Sequence, residues 1–349
     1  MDNLRSHSEF ARVVSESGAF DNEPMVVVDV GCSGGLHRAW DNFGSAFAGF
    51  GFDANVTECE RLRANSDSRV EFVAGLVGLP PSHSFLRDGG EVYWHDNPWP
   101  RLSTARASAR LQPGVRARRS NEWTGDVLSD EIIVLPDWLR AHDVARVDFL
   151  KIDVDGPDLI VLTSMIDDLE RLQVLGVSVE VNFFGSAAHT DHTFHNTDRV
   201  LRSKDFDLFD LSVRRYSNAA LPAPFISDIP GPTMTGRVLQ GDALYLRDPC
   251  RNADVEFSSV ELLKLCCLYD LARMPDAAGE ILTMFRDRIS RVVDVDPLLD
   301  VLAPNGKYQQ WLAMFEADSP KFYRQRAARS IARRLPPSVQ SAIRRVLNR

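Results

Sequence analysis

The sequence predicts an α/β fold with a mostly parallel sheet covered by helices on both faces. Three observations predict it: strand and helix patterns alternate from residue 10 to about 183, a glycine-rich turn follows the first strand, and the last two strands have no helix between them. Alternating strands and helices imply crossover connections, which place the strands parallel. Two strands without a crossover helix are expected to pair antiparallel.

The elements of the first half follow from apolar patterning and from cap residues. A polar helix precedes the strand 25–30, and a second short strand, 47–52, ends at Asp53. The segment "TECERLRAN" opens with Thr57 and Glu60 at capping-box spacing, which predicts a helix start there. "RVEFVAG", "EIIVL" and "RVDFLKIDV" predict three further strands, and the short helix "PDWLRAH" separates the last two.

The second half begins with the helix "GPDLIVLTSMIDDLERL", which has Pro157 at its first position and Asp158 in its first turn. "LGVSVEVNF" predicts another buried strand. "FDLFDLSVRRY" and "GDALYLR" form the last strand pair, joined by the proline-rich loop 218–235. Ser258 and Glu261 then cap a helix, and "DAAGEILTMFRDRISRVV" predicts the second helix of a hairpin.

We divide the chain into a ligand-binding domain, 1–247, a helical hairpin domain, 248–320, and a basic tail, 321–349. Within the first domain, residues 79–126 form an insertion without periodicity, and its segment 97–121 holds six arginines and no acid. A loop of this length is typical of a lid or binding loop, and the alternative is disorder.

The composition limits which classes of protein this chain can belong to. Met1 is followed by polar residues rather than a secretory segment, no apolar run approaches the ~20 residues of a membrane-spanning helix, and the five cysteines lack metal-type spacing. We therefore expect a cytoplasmic protein. Without the nine basic residues of 321–349, 31 basic residues face 49 acids, so residues 1–320 carry a net charge of −18. A body this acidic argues against general nucleic-acid binding.

The turn after the first strand reads Gly31-Cys32-Ser33-Gly34-Gly35. A dinucleotide site needs G-x-G-x-x-G, in which the second glycine lets backbone amides reach a pyrophosphate. Ser33 occupies that position, so the pyrophosphate fingerprint fails. Asp29 on the first strand and Asp53 at the end of the second remain, and an acid at the latter position can accept both hydroxyls of a ribose. S-adenosylmethionine, a nucleoside with a small zwitterionic tail, fits better. The alternative is a turn that only packs a helix on the sheet.

Five segments together indicate a family. "VDFLKIDVDGPDLIVL", "VSVEVNF", "GDALYLR", "VVVDVGCSGG" and "GFDAN" resemble the FkbM-type S-adenosylmethionine-dependent methyltransferases, over roughly residues 24–247. The resemblance implies a class I methyltransferase fold: a Rossmann-like three-layer sandwich with a seven-stranded sheet whose last pair is antiparallel. It also implies O-methyl transfer to a sugar, glycan or glycosylated metabolite. The cofactor contacts that it implies are Asp29, Gly31, Ser33, Gly34 and Asp53, with Ala74 and Gly75 near the adenine.

Methyl transfer to a hydroxyl needs a group that aligns the oxygen and removes its proton, and a general base contributes on the order of 10²–10⁴ in rate. Open α/β sheets bind ligands at the carboxyl ends of their strands. The candidates there are Asp153, Asp155 and Glu180, with His189 and His192 from "HTDHTFH". Asp153, Glu180 and His189 are also the candidate ligands of a divalent metal, whose presence the sequence leaves open. The alternatives are loop histidines that cap the next helix and an Asp153–Lys151 structural pair.

The acceptor is expected to meet the insertion. Trp94 and Trp99 present aromatic faces that stack on sugar rings, and Arg101 can pair with a phosphate or carboxylate. The tail 321–349 places apolar residues in a thin helical stripe, without a tryptophan, among arginines. A basic amphipathic helix is typical of peripheral contact with the inner face of a membrane, which would suit a lipid-linked acceptor. The alternative is a tail that packs on the acidic body of its own or a partner chain. The oligomeric state stays open.

The sequence also allows a test of two other functions. A nicotinamide-dependent oxidoreductase or epimerase is disfavoured by Ser33 and by the lack of a Tyr-x-x-x-Lys pair at Tyr93, Tyr216 or Tyr245. A non-enzymatic, methyltransferase-like module for glycan binding or assembly would be favoured by loss of the cofactor acid, but Asp53 is present.

Overall fold

The computed structural model describes residues 3–80, 82–87, 129, 131–154, 158–216, 233–251, 256–303 and 306–332, and for 322–332 it describes only the helical backbone. The chain divides into two compact units, Met1–Val293 and Asp294–Arg349. The helical hairpin after residue 247 lies in the first unit. The predicted domain boundaries at 247 and 320 stay predictions.

A seven-stranded sheet forms the centre of the first unit. Its strands are β1 (Met25–Val30), β2 (Phe47–Asp53), β3 (Val70–Ala74), β6 (Phe149–Ile152), β7 (Gly176–Asn182), β8 (Asp207–Tyr216) and β9 (Arg237–Leu246). Their order is β3-β2-β1-β6-β7-β9-β8. The first five strands pair in parallel, and β9 pairs antiparallel with both β7 and β8. The predicted fold class, including the antiparallel last pair, is confirmed.

One face of the sheet is continuously apolar. Val28 of β1, Leu150 of β6 and Val177 of β7 belong to a single buried cluster with the side chains of three helices. These helices are α4 (Leu135–Ala141), α5 (Asp158–Met165) and α6 (Phe194–Arg202). Buried parallel strands need apolar residues on this face because the crossover helices exclude water from it.

The opposite face is apolar only near the amino ends of its strands. There Trp40 packs on Phe149 and Phe47, with ring centroids 5.1 and 6.4 Å apart. The elements on this side are α1 (Glu9–Glu16), the 3₁₀ helix Arg38–Phe43 and α7 (Ser259–Leu271). Toward the carboxyl ends the same face becomes polar, because Asp29 of β1 lies in register with Lys151 of β6.

The start of α2 (Val56–Asn65) corrects one prediction. The N-cap is Asn55, whose side chain accepts a hydrogen bond from the Glu58 amide, so the predicted capping box of Thr57 and Glu60 is wrong. Asn55 sits immediately after the strand end and already has an extended backbone, which lets its side chain reach back to the first helical turn. Thr57 lies inside the helix.

The insertion is described only at its ends. Strand β4 (Leu76–Val77) pairs in parallel with β5 (Ile132–Ile133), and the one-turn helix α3 (Ser84–Arg87) follows β4. Trp94, Trp99 and Arg101, the predicted acceptor contacts, lie outside the described residues.

The helices after β9 differ from the prediction in one place. The capping box of Ser258 and Glu261 on α7 is confirmed. The predicted second helix of the hairpin is two helices, α8 (Pro275–Met284) and α9 (Arg286–Ile289), which separate at Phe285. A pattern with apolar residues at helical spacing on both sides of such a break does not reveal it.

Helix α7 is attached to the sheet by a buried charge pair. The Lys264 ammonium donates to Asp148 at 2.7 Å and to the Pro24 carbonyl at 2.8 Å, and both charged side chains are fully buried. Asp148 also accepts from the Val26 amide, which joins α7 to the beginning of β1.

The second unit contains α10 (Val295–Leu302) and α11 (Tyr308–Ala332). Helix α11 has 25 residues and contains Pro320. Among the described residues, no helix combines the length and the apolar character needed to cross a membrane.

Candidate functional site

The glycine-rich turn is held against the end of β6. Gly31 has φ +82°, and a Cβ built on it would lie 1.7 Å from the carbonyl oxygen of Asp153. Its amide donates to the Phe52 carbonyl at 2.8 Å, and its own carbonyl accepts from the Lys151 ammonium at 2.6 Å. Only glycine combines this backbone conformation with so close an approach. The residue therefore joins the ends of β1, β2 and β6.

The rest of the turn is open on its outer side. Ser33 and Gly34 are exposed, and a Cβ built on Gly34 would meet no atom within 4 Å. The Gly34 amide donates to Glu58 at 2.9 Å, and the Gly35 amide closes the turn on the Cys32 carbonyl at 2.8 Å. The predicted cofactor residues of the turn thus border free space beside an acidic side chain.

Asp53 lies at the end of β2 beside the end of β3. It is in register with Ala74, and the Gly75 amide donates to its carbonyl at 2.8 Å. Its carboxylate accepts from the Asn55 amide at 2.8 Å and interacts with the Ser33 amide. Burial raises the pKa of Asp53, and these amides oppose the rise. The structure therefore groups the predicted ribose acid with both predicted adenine residues.

Asp29 and Lys151 form a buried pair between β1 and β6. The ammonium of Lys151 lies 2.9 Å from Asp29 Oδ1 and 3.7 Å from Asp153 Oδ2. Burial raises the pKa of Asp29 to about 6 in spite of the lysine. Burial alone would lower the pKa of Lys151, but the two carboxylates raise it. The structural partner of Lys151 is therefore chiefly Asp29, while the Asp153 side chain stays 34% exposed.

Glu180 is already engaged on both carboxylate oxygens. Gln240 donates to Oε1 at 2.8 Å, and Arg214 donates to Oε2 at 2.5 Å. Arg214 also pairs with Asp242, which lies opposite Glu180 across β7 and β9. Burial raises the pKa of Glu180 to about 7, and Arg214 opposes the rise. Glu180 thus belongs to a polar network that spans the last three strands.

Asp158 and His192 lie close to each other near the carboxyl ends of β6 and β7. Asp158 is fully buried; its Oδ1 accepts from the Val154 amide at 2.8 Å, and its Oδ2 has no hydrogen-bond partner among the described residues. Burial, with Glu180 and Asp153 nearby, raises the pKa of Asp158 well above its usual value. His192 Nε2 lies 3.7 Å from that free oxygen and 3.0 Å from the Glu180 carbonyl.

The remaining predicted catalytic residues differ in where the structure places them. His192 is buried, whereas His189 is exposed, and Asp155 lies outside the described residues. Over the described parts of the chain, no three His, Cys, Asp or Glu side chains are placed to hold a metal ion, and this includes Asp153, Glu180 and His189. The individual catalytic and cofactor roles stay predictions.

Several polar residues of the site were not found from the sequence as candidates. They are Lys151, Asp158, Arg214, Gln240 and Asp242. Charged residues inside predicted buried strands were a usable signal, because an unpaired charge is costly in a sheet interior. The partners of those charges depend on the register of β8 and β9, which includes two irregularities, and a sequence pattern does not give this register.

Comparison with known proteins gives one family. A family model described as the methyltransferase FkbM domain matches residues 62–208. No curated protein matches the chain. Two solved structures are similar at a TM-score of 0.28: an S-adenosylmethionine-dependent methyltransferase from Aquifex aeolicus, 11% identical over 69% of this chain and 91% of that chain, and magnesium protoporphyrin IX methyltransferase from Synechocystis with bound S-adenosylmethionine, 12% identical over 68% and 77%.

Proposed function

We propose that this chain, whose residues 62–208 match a family model described as the methyltransferase FkbM domain, transfers a methyl group from S-adenosylmethionine to a hydroxyl of a sugar, glycan or glycosylated metabolite. One observation supports this proposal most directly. Asp53, Ala74 and the turn around Gly34, whose outer side is open, lie together at adjacent strand ends. Open α/β sheets bind ligands at these ends.

The residues present fit the cofactor. Asp53 offers a carboxylate where a ribose would present two hydroxyl donors, and Ala74 and Gly75 lie beside it at the end of β3, where the base would follow the ribose. The open side of Gly34 gives the amino-acid tail access to the turn. The acidic surroundings, Asp153 and Glu58 among them, suit a ligand with a positive sulfur.

Bound S-adenosylmethionine would supply an already activated methyl group. The chain then has to align the acceptor oxygen and take up its proton. Asp153 is the described acid that is best placed for the proton, because its side chain is partly exposed at the end of β6. Lys151 holds the Asp153 carboxylate toward the turn from 3.7 Å, whereas both oxygens of Glu180 are occupied by Arg214 and Gln240.

Calorimetry tests the cofactor assignment. We expect S-adenosylhomocysteine to bind the full chain and NAD and NADP not to bind. The Asp53→Ala variant should lose at least 100-fold in affinity, because the ribose hydroxyls lose their acceptor. Asp67→Ala is the matched control, since Asp67 is exposed and pairs with the neighbouring Arg69. Binding of a nicotinamide cofactor without the thioether would overturn the assignment.

The type of bond formed tests the acceptor class. With tritiated S-adenosylmethionine and a panel of glycosides, an O-methyl ether keeps its label in mild alkali, whereas a methyl ester on a carboxylate loses it. We expect label that survives. The Asp153→Asn variant should lower kcat by about 10²–10⁴ with little change in thioether affinity. Alkali-labile label on the product would contradict the proposal.

A further inference from the structure

Helix α11 exposes a set of large apolar side chains. Trp311 is 42% exposed, Met314 is 68% exposed and Phe315 is 59% exposed. The rings of Tyr308, Trp311 and Phe315 form a row along the helix, with centroids 6.4 and 5.8 Å apart. We call these four residues the aromatic face. Single exposed apolar residues are ordinary, but a contiguous set marks an interaction surface.

The charge of the chain changes sign just beyond this face. Helix α11 continues through the exposed Lys321, and residues 321–349 contain nine basic residues and no acid. The remaining chain, 1–320, carries a net charge of −18. A surface that attracts the tail must therefore be anionic, and the same surface repels the rest of the protein.

We propose that the aromatic face and the basic segment after it dock the protein peripherally on an anionic lipid surface. Tryptophan and tyrosine favour the boundary between headgroups and acyl chains, because each combines an apolar ring with a polar N–H or O–H group, and phenylalanine adds apolar area. Basic residues beside them bind the headgroup charge, and each one near the surface strengthens binding about fivefold. Trp311 lies on the same helix as the first residues of the basic segment, because the helical backbone runs from Tyr308 to Ala332.

Charge favours an anionic lipid over the pairing of two copies through this helix. Two copies of this helix would bring the nine basic residues of each tail together, and the helix before Lys321 offers only Glu316 and Asp318 to compensate them. Like charges at an interface oppose association. An anionic bilayer supplies the negative charge that such a pair of helices lacks. The inference does not depend on the methyl acceptor or on the cofactor.

Vesicle flotation of the full chain tests the proposal. The lipids are phosphatidylcholine alone and phosphatidylcholine with three parts in ten of phosphatidylglycerol. The test variant is Trp311→Ser/Phe315→Ser, and the matched control is Met284→Ser/Val292→Ser, which removes two apolar side chains that are exposed in the first unit. We expect wild type and control to float with the anionic vesicles, and the test variant to bind at least tenfold more weakly. Raising the salt to 0.5 M should release all three.

Three outcomes would overturn the proposal. Equal flotation of the test variant and wild type would show that the aromatic face does not contact the lipid. Equal binding to neutral and anionic vesicles would show that the basic segment does not contribute to binding through its charge. Absence of flotation, together with a wild-type dimer that becomes monomeric in the test variant on gel filtration, would assign the face to a second copy. Unchanged circular dichroism of the variants shows that they are folded.

Discussion

Gly31→Ala is expected to damage both the stability and the ligand site of this protein. Gly31 has φ +82°, a conformation that costs an alanine about 1 kcal/mol. The new methyl group would also lie 1.7 Å from the Asp153 carbonyl oxygen, whereas real Cβ atoms essentially never approach other atoms closer than 3.0 Å. The turn and the end of β6 must therefore separate by more than 1 Å, which costs about 2–3 kcal/mol more.

Gly34→Ala isolates the backbone part of this effect. Gly34 has φ +85°, but its added methyl group would meet no atom within 4 Å. We expect urea unfolding to show a loss of about 1 kcal/mol for Gly34→Ala and about 3–4 kcal/mol for Gly31→Ala. Calorimetry should also show at least tenfold weaker S-adenosylhomocysteine binding by Gly31→Ala, because Asp153 and the turn no longer keep their spacing.

Equal losses of stability in the two variants would refute this reasoning. They would mean that the turn relaxes away from β6 without cost, so that the close approach of Gly31 to Asp153 plays no part in forming the site.

Three further predictions concern the network, the attachment of α7 and the corrected helix cap. Burial raises the pKa of Glu180 from 4.5 to about 7, so folding favours its protonated form and the free energy of unfolding falls by about 3 kcal/mol as pH rises through that range. Glu180→Gln should flatten this fall in unfolding curves measured at several pH values; an unchanged slope would contradict it. Lys264→Met leaves the buried Asp148 with Arg146 as its remaining cationic partner and should cost about 2 kcal/mol in urea unfolding, and a loss below about 0.5 kcal/mol would show that the Lys264 pair is dispensable. Asn55→Ala should lower the melting temperature by the equivalent of about 1 kcal/mol and Thr57→Ala by much less, whereas the reverse order would restore the capping box at Thr57.

The sequence predicted the parts of the site that are local to the chain. Asp53 could be placed at a strand end because apolar residues precede it and a helix pattern follows, and Gly31 could be placed in a tight turn for the same reason. Family resemblance then implied which residues would contact a cofactor, and those roles stay predictions. Local patterning did not place the cap of α2, because Asn55 and Thr57 are both acceptable N-cap residues and only the backbone geometry of the strand end distinguishes them.

By itself the sequence determined the alternation of strands and helices, the antiparallel last pair, the glycine turn and the resemblance to a methyltransferase family. These properties depend on the spacing of apolar residues and on backbone preferences. Both are set by residues that are close together in the sequence. The tertiary structure alone decided that Lys151 pairs with Asp29, that Arg214 pairs with Glu180, and that Trp311 shares one helix with residues 321–332 of the basic tail. Such pairings depend on strand register and helix length, and both are fixed by packing between segments far apart in the chain.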